Sequence, residues 1–220
     1  MAPARVKIVL ALTSPIAFEP LNDSDVLTHA ITSAHTFVVE NGSHSDLALA
    51  APAALMGRAQ AICAKSNLVR EFIEVNPLDS SAFASSLATS SPFDILGIHD
   101  VQRPLTRPAQ YHRALGGLVG EAQAVRPTTA FTETLKIVGD FHELMRTVDR
   151  SSLRRLSTPE MYHKTGIDFS GTGEGSWFLP LKPEAITAEV DADPESLRVN
   201  NESEVELLEA LLHWQQRVVR

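Results

Sequence analysis

The chain has 220 residues, 44% of them apolar, 21% charged and 6% aromatic, a composition that excludes disorder as the main state and is long enough to bury a core without disulfides or a structural metal. Its formal net charge is −8, and residues 184–209 alone hold nine acids against Arg198. The remainder balances to zero, with a local +4 over residues 103–164, where ten Lys/Arg face six Asp/Glu. That balance argues against a nucleic-acid surface. The acidic stretch reads as a solvated helix face with its approach loop.

The single cysteine, Cys63, can close no intrachain disulfide and reads as apolar filler on a helix, so a reducing cytoplasm is expected. The charge-free run 47–57 is about half a bilayer span and contains Pro52, so no membrane span is expected. The eight histidines are dispersed without close-pair spacing, and no metal site is expected from them.

Runs of five to eight apolar residues alternate with segments of helical period, the pattern of a doubly wound, mostly parallel α/β sheet. A first strand covers Val6–Leu12. Asn22 or Asp23 caps a helix reaching Ala34, with Val26, Leu27, Ala30 and Ile31 on one face. His35–Val39 reads as the second strand, closed by a turn at Glu40-Asn41-Gly42, and Ala53–Ala64 as a helix that could start earlier and be broken by Pro52. Val69–Val75 is a third strand, Ser80–Leu87 a short helix and Phe93–His99 a fourth strand, followed by helical period over Pro108–Gln123.

Thr128–Phe131 is strand-like, and Leu135–Val148 reads as two strands around Gly139-Asp140, a projecting arm that needs a partner surface. Thr158–Lys164 is expected to be a short helix opened by Thr-Pro, Ala185–Val190 a strand, and Glu202–Val219 a closing helix with Val205, Leu208, Leu211, Leu212 and Val219 inward. The whole, residues 1–220, is expected to be one domain, with 135–157 as an inserted dimerisation arm.

His99-Asp100-Val101-Gln102-Arg103-Pro104 follows the fourth strand directly. Ligands of open α/β sheets sit beyond the carboxyl ends of strands, so Asp100 and Arg103 face the crevice. Alone, this motif reads equally as a salt-bridged loop with a proline stop. After it come Glu133-Thr134-Leu135-Lys136, Thr147-Val148-Asp149-Arg150, Thr158-Pro159-Glu160, Thr172-Gly173-Glu174-Gly175-Ser176 and Leu197-Arg198-Val199-Asn200. Their order and spacing over residues 93–215 resemble the 2-C-methyl-D-erythritol 4-phosphate cytidylyltransferase family of isoprenoid precursor synthesis. That family carries His-Asp-x-x-Arg-Pro, Asp-Thr-x-Lys, Thr-x-Asp-Arg, Thr-Pro-Gln, Thr-Asp-Glu-Ala-Ser and Ile-Lys-Val-Thr in the same order.

The resemblance implies a nucleotidyltransferase fold with a dimer arm. It implies substrate contacts from Asp100, Arg103, Thr134 and Thr158, a phosphate contact from Arg150 of the opposite subunit, and one from Arg198 where the family has lysine. The family reaction joins CTP and methylerythritol phosphate with release of pyrophosphate, and Mg²⁺ would accompany it if the protein is active.

The first third departs from the pattern. The family follows strand one with Ala-Ala-Gly-x-Gly-x-Arg-Met and then Pro-Lys, whose amides and cations grip the triphosphate. Here stands Thr13-Ser14-Pro15-Ile16-Ala17-Phe18-Glu19-Pro20, without glycine, and between Lys7 and Lys65 the only Lys or Arg is Arg58. The family's Gly-Gly-x-x-Arg-x-x-Ser run meets Pro77-Leu78-Asp79-Ser80-Ser81-Ala82-Phe83-Ala84-Ser85, in which Ser85 or the following Ser86 would match the serine. The expectation is therefore a family protein with catalysis lost or much reduced. Its alternative is a fully non-catalytic, dimeric module that binds a polyol phosphate or a protein.

Overall fold

A computed structural model describes residues 3–171 and 177–218, with side chains described up to Trp214. The Thr172–Ser176 motif and the inward placing expected for Val219 lie outside the described residues.

In chain order, β1 (Val6–Ala11) leads through a 3₁₀ turn at Pro15–Phe18 and the small hairpin β2 (Pro20–Leu21) and β3 (Ser24–Asp25) into α1 (Val26–Asn41). β4 (Ser45–Ala51), α2 (Ala53–Cys63), β5 (Glu71–Glu74), α3 (Ser80–Ala88), β6 (Ile95–Asp100) and α4 (Pro108–Gly116) follow. The second half comprises β7 (Ala122–Ala130), β8 (Lys136–Val138), β9 (Leu144–Thr147), β10 (Arg154–Leu156), β11 (Glu160–His163), β12 (Ile186–Asp191) and α5 (Glu202–Val218).

The main sheet runs β5-β4-β1-β6-β11-β7-β12, with β10 pairing β7 beyond β11. β1 is parallel to both β4 and β6, and β11 is the antiparallel strand between β6 and β7. The chain reverses its direction of strand addition at β1, so the crevice between the carboxyl ends of β1 and β6 is the topological switch point.

One core, on the face of α1, α2, α4 and α5, holds Leu10, Leu27, Phe37, Met56, Tyr111 and Leu208. The other holds Val9, Ala48, Ala50, Phe83, Leu96 and Tyr162 under α3 and the crossover ahead of β12. The interior strand β4 is alanine-rich because both its faces are covered closely. That composition hides it as a strand: the expected second strand at His35–Val39 is instead the continuation of α1. Thr36, Val38 and Val39 favour strands locally, but Leu27, Ile31, Ala34 and Phe37 keep helical period and burial decides. α1 starts at Asp25, whose carboxylate accepts the Thr28 N–H at 2.7 Å, and ends at Gly42 with φ +95°.

Three other expectations change. The helix over Pro108–Gln123 stops at Gly116, and Ala122 onwards forms β7, which takes in the strand expected at Thr128–Phe131. The helix expected at Thr158–Lys164 is β11 followed by a 3₁₀ turn at Lys164–Gly166. Pro159 stands just ahead of that strand, where no ladder N–H is needed. The closing helix ends at Val218 in the described residues, with Val205 and Leu208 buried and Leu211 and Leu212 packed beside them.

The arm appears as read. β8 and β9 pair only with each other, and Val138, Phe141, Leu144 and Met145 are exposed on it, Phe141 at 90%.

Candidate functional site

The crevice residues arise from the carboxyl end of β6, the corner between β10 and β11, and the approach to α5. Asp100 ends β6 and is buried; its Oδ2 accepts from Arg198 Nε at 2.7 Å, and its Oδ1 from the Gln102 N–H at 3.0 Å. Thr158 Oγ1 accepts the Asp100 N–H at 3.1 Å and lies 3.0 Å from His99 Nδ1. Arg103 turns away from the crevice centre, donating from Nη1 to the Ser196 carbonyl and from Nη2 to the Leu156 carbonyl, each at 2.7 Å. Four expected residues, Asp100, Arg103, Thr158 and Arg198, are thus brought together.

Thr134 and Arg150 are not part of that cluster. Both lie in the exposed excursion between β7 and β10, where Arg150 donates to the carbonyls of Thr132 and Glu133. Arg150 also lines an open cavity of about 960 Å³ with Thr128, Arg154, Glu189 and Asp191.

The cluster is closed by residues that the motif reading passed over. Gln102 Oε1 accepts from Arg198 Nη2 at 2.7 Å and from Thr13 Oγ1 at 2.9 Å, and its amide donates to the Val199 carbonyl at 2.5 Å. Arg198 Nη1 donates to Asn200 Oδ1. The switch-point crevice is therefore spanned by a chain of hydrogen bonds from Thr13 through Gln102 to Arg198 and Asp100. Behind it, Gln110 of α4 donates to Ser157 Oγ at 3.0 Å and to the Thr158 carbonyl at 2.6 Å, and Ser157 and Thr106 both meet Ser196.

Burial sets the charge states. Desolvation first, and then the neighbouring Arg103, lower His99 to about 3, so its ring is neutral at ordinary pH. Desolvation likewise lowers Arg103 to about 10, against the support of Asp100. Cys63 is buried and its thiol is raised to about 11, which makes it inert filler as read.

The segment after β1 is turned inward. Ser14 caps the 3₁₀ turn through the Ile16 N–H, and Ile16, Ala17 and Phe18 are buried in the core. Arg58 stacks on Phe18, with its guanidinium 4.5 Å from the ring centroid.

On the other face of the sheet lies a second buried polar group that the sequence reading did not single out. Arg126 of β7 pairs with Glu160, whose Oε2 accepts from the Tyr162 hydroxyl and from the Phe178 N–H at 2.8 Å. Arg126 also lies 4.0 Å from the Trp177 ring centroid. Burial raises the Glu160 carboxyl from its ordinary value against the pull of Arg126. The available signal was Thr-Pro-Glu where the family has Thr-Pro-Gln.

Among the described residues there is no group of three or more His, Cys, Asp or Glu able to hold a metal ion, and no helix long and apolar enough to cross a membrane. Mg²⁺ takes one or two carboxylates together with substrate phosphates. Asp100, the carboxylate at the switch point, has both oxygens engaged by Arg198 and Gln102, so the residues present do not suit that ion.

No family model matches the chain. It is similar to the 2-C-methyl-D-erythritol 4-phosphate cytidylyltransferase of Nocardia farcinica, 25% identical over 205 residues, covering 90% of this chain and 86% of that one. The enzyme of the same name from Saccharopolyspora erythraea is 28% identical over 153 residues, 66% of this chain and 65% of that one. The chain belongs to the 2-C-methyl-D-erythritol 4-phosphate cytidylyltransferase family.

A further match, to the bifunctional enzyme IspD/IspF of Nitrobacter winogradskyi, is 38% identical over 78 residues, 36% of this chain. The chain spans 19% of that relative's length and 65% of the Saccharopolyspora enzyme's. Among solved structures, the cytidylyltransferase of Thermus thermophilus superposes with a TM-score of 0.71 at 18% identity, covering 94% of this chain and 98% of that one. The 4-diphosphocytidyl-2C-methyl-D-erythritol synthase of Anaerococcus prevotii gives 0.71 at 15% identity, covering 94% and 97%. These likenesses carry the doubly wound fold.

Proposed function

We propose that this member of the cytidylyltransferase family has given up cytidylyl transfer and keeps the polyol-phosphate half of the site, in a homodimer built through the β8–β9 arm. What supports the first part is the segment after β1. At the switch point, where a triphosphate needs free amides, this chain has Pro15 and Pro20, no glycine, and Ile16, Ala17 and Phe18 packed inward. Phosphoryl transfer depends on positioning and charge neutralisation, and each lost donor costs about 2.7–4 kcal/mol of transition-state stabilisation. Loss of a loop with its arginine and lysine would leave little of the family reaction.

Retention of the other half rests on Asp100, Thr158 and Arg198, which meet within hydrogen-bond distance of one another. A phosphate can displace Gln102 and Asn200 from Arg198, because charge-assisted bonds to a fork of N–H donors outcompete neutral acceptors. The exposed arm supports the dimer: a two-stranded ribbon carrying Val138, Phe141, Leu144 and Met145 is marginal alone in water. In the dimer a second copy's Thr134 and Arg150 would complete the site. Residues 1–220 form one domain with 135–157 as its arm.

The test is calorimetry with methylerythritol phosphate and with CTP, beside a pyrophosphate-release assay with Mg²⁺ supplied. The polyol phosphate is expected to bind and CTP not, with no release above background. Turnover on the order of 1 s⁻¹ or more would overturn the reading. So would tight CTP binding without polyol binding.

A further inference from the structure

α5 turns Val205 and Leu208 into the core with Leu212 beside them. On its opposite side Leu207, Ala210 and Trp214 are exposed, at 63% for Leu207 and 59% for Trp214. The spacing i, i+3, i+7 places the three on one stripe. A single exposed leucine needs no explanation, but leucine and tryptophan in register on one helix face make a patch.

The surroundings of that stripe carry one sign of charge. Helical geometry sets Glu202 and Glu206 along one flank and Glu204 along the other. Residues 199–214 contain no Lys or Arg, and neither do residues 8–57, which supply β2 and α1. β2 packs beneath α5, and the turn after it is tied there by the Asn22 N–H, which donates to Glu209 Oε1 at 3.2 Å. Asp23, exposed on that turn, adds to the field. The cations that follow, Arg217 and Arg220, stand beyond Trp214 in the sequence.

We propose that the outward face of α5 docks a basic amphipathic helix of another protein. Leu207 and Trp214 are its apolar anchors, and Glu202, Glu204 and Glu206 meet Lys or Arg at the rim. A tryptophan ringed by charges of one sign is the composition expected of an anchor and its rim. Charge complementarity decides among occupants. A second copy applied to this face would bring glutamates against glutamates in an isologous contact, and an anionic surface would be repelled. The surface lies outside the crevice and the arm, so it stands whatever the ligand of the crevice is.

The test uses the full chain and a fluorescent peptide of about 18 residues with leucines on one helical face and lysines on the other, long enough to cover the stripe. A companion peptide carries glutamate at every lysine position. The lysine peptide is expected to bind at micromolar concentration, about tenfold more weakly to the Leu207→Ser/Trp214→Ser variant. Its affinity should fall with added salt, and fall less steeply for Glu202→Gln/Glu206→Gln. These side chains are exposed, so thermal unfolding of both variants should match the parent. Equal binding of the two peptides, equal binding by parent and Leu207→Ser/Trp214→Ser, or no binding to the parent would each overturn the proposal. Self-association that depends on Trp214 would overturn it in favour of a second copy.

Discussion

Replacing Arg103 by alanine separates a binding role for this residue from a structural one. Its guanidinium holds the Ser196 and Leu156 carbonyls at 2.7 Å each, tying the approach to α5 and the end of β10 to the loop after β6. A hydrogen bond from a charged donor contributes about 1.5–3 kcal/mol, and two are lost. The Leu156 contact is exposed and water can replace it, so the expected loss is about 2–4 kcal/mol. At roughly 2–4 °C per kcal/mol for a chain of this size, the melting temperature should fall by about 5–15 °C. Urea titration should show a lower midpoint at unchanged slope. Arg103→Lys should rescue little, since one ammonium cannot reproduce the planar fork across two carbonyls. A variant within about 0.5 kcal/mol of the parent would refute the structural role and return Arg103 to the ligand.

His99 stays neutral in the fold down to about pH 3, whereas an unfolded histidine titrates near 6.5. The unfolded state then binds more protons between those values, so stability falls as pH falls through that window. From pH 7.5 to 5 the parent should lose about 2 kcal/mol more than His99→Gln in chemical denaturation, and parallel pH profiles would contradict this. Glu160→Gln removes the charge opposite buried Arg126 and should cost about 3–5 kcal/mol of stability, with much of it recovered in Arg126→Met/Glu160→Gln; a neutral single variant would show that the pair contributes nothing. Leu144→Glu on the exposed arm should leave thermal stability nearly unchanged while converting a dimer to a monomer in sedimentation, and an unaltered dimer would place the interface elsewhere.

The outline of the fold was legible because it rests on patterns that tertiary packing does not alter. The apolar run of β1, the period of α1 and the paired strands of the arm are of this kind. The misreadings have one source: β4 is Ser-Asp-Leu-Ala-Leu-Ala-Ala, a sequence that resembles a helix and becomes a strand only because both faces are covered. Once β4 was missed, a second strand had to be found at Thr36–Val39, where branched residues invited it. In the site, Asp100, Thr158 and Arg198 were legible as motif members. Gln102 and Thr13 were not, because their meaning is a contact across the switch point between residues 89 apart, and no local spacing encodes it. Arg126 and Glu160 are coupled in the same way, by register across β7 and β11.

The segment Thr13–Pro20 shows why a phosphate loop and a core plug exclude one another. A loop that grips a triphosphate presents its amides to solvent and keeps its side chains small. Here Ile16 and Phe18 are buried at 8% and 5% exposure, and side chains of this kind stabilise by about 1.5–3 kcal/mol each when buried. Together they contribute about as much to folding as one or two oxyanion-type donors contribute to a transition state, roughly 2.7–4 kcal/mol each. Small substitutions cannot therefore convert one state into the other. Phe18→Gly with Pro15→Gly would return an amide at position 15, yet it empties a filled site in the core and should cost about 3–5 kcal/mol of stability. It should gain no CTP affinity, because Thr13 remains held by Gln102 across the crevice and no Lys or Arg between Lys7 and Arg58 is there to meet the phosphates. Nucleotide binding by that double variant, measured calorimetrically, would show that the amides alone were limiting and that the plug is incidental.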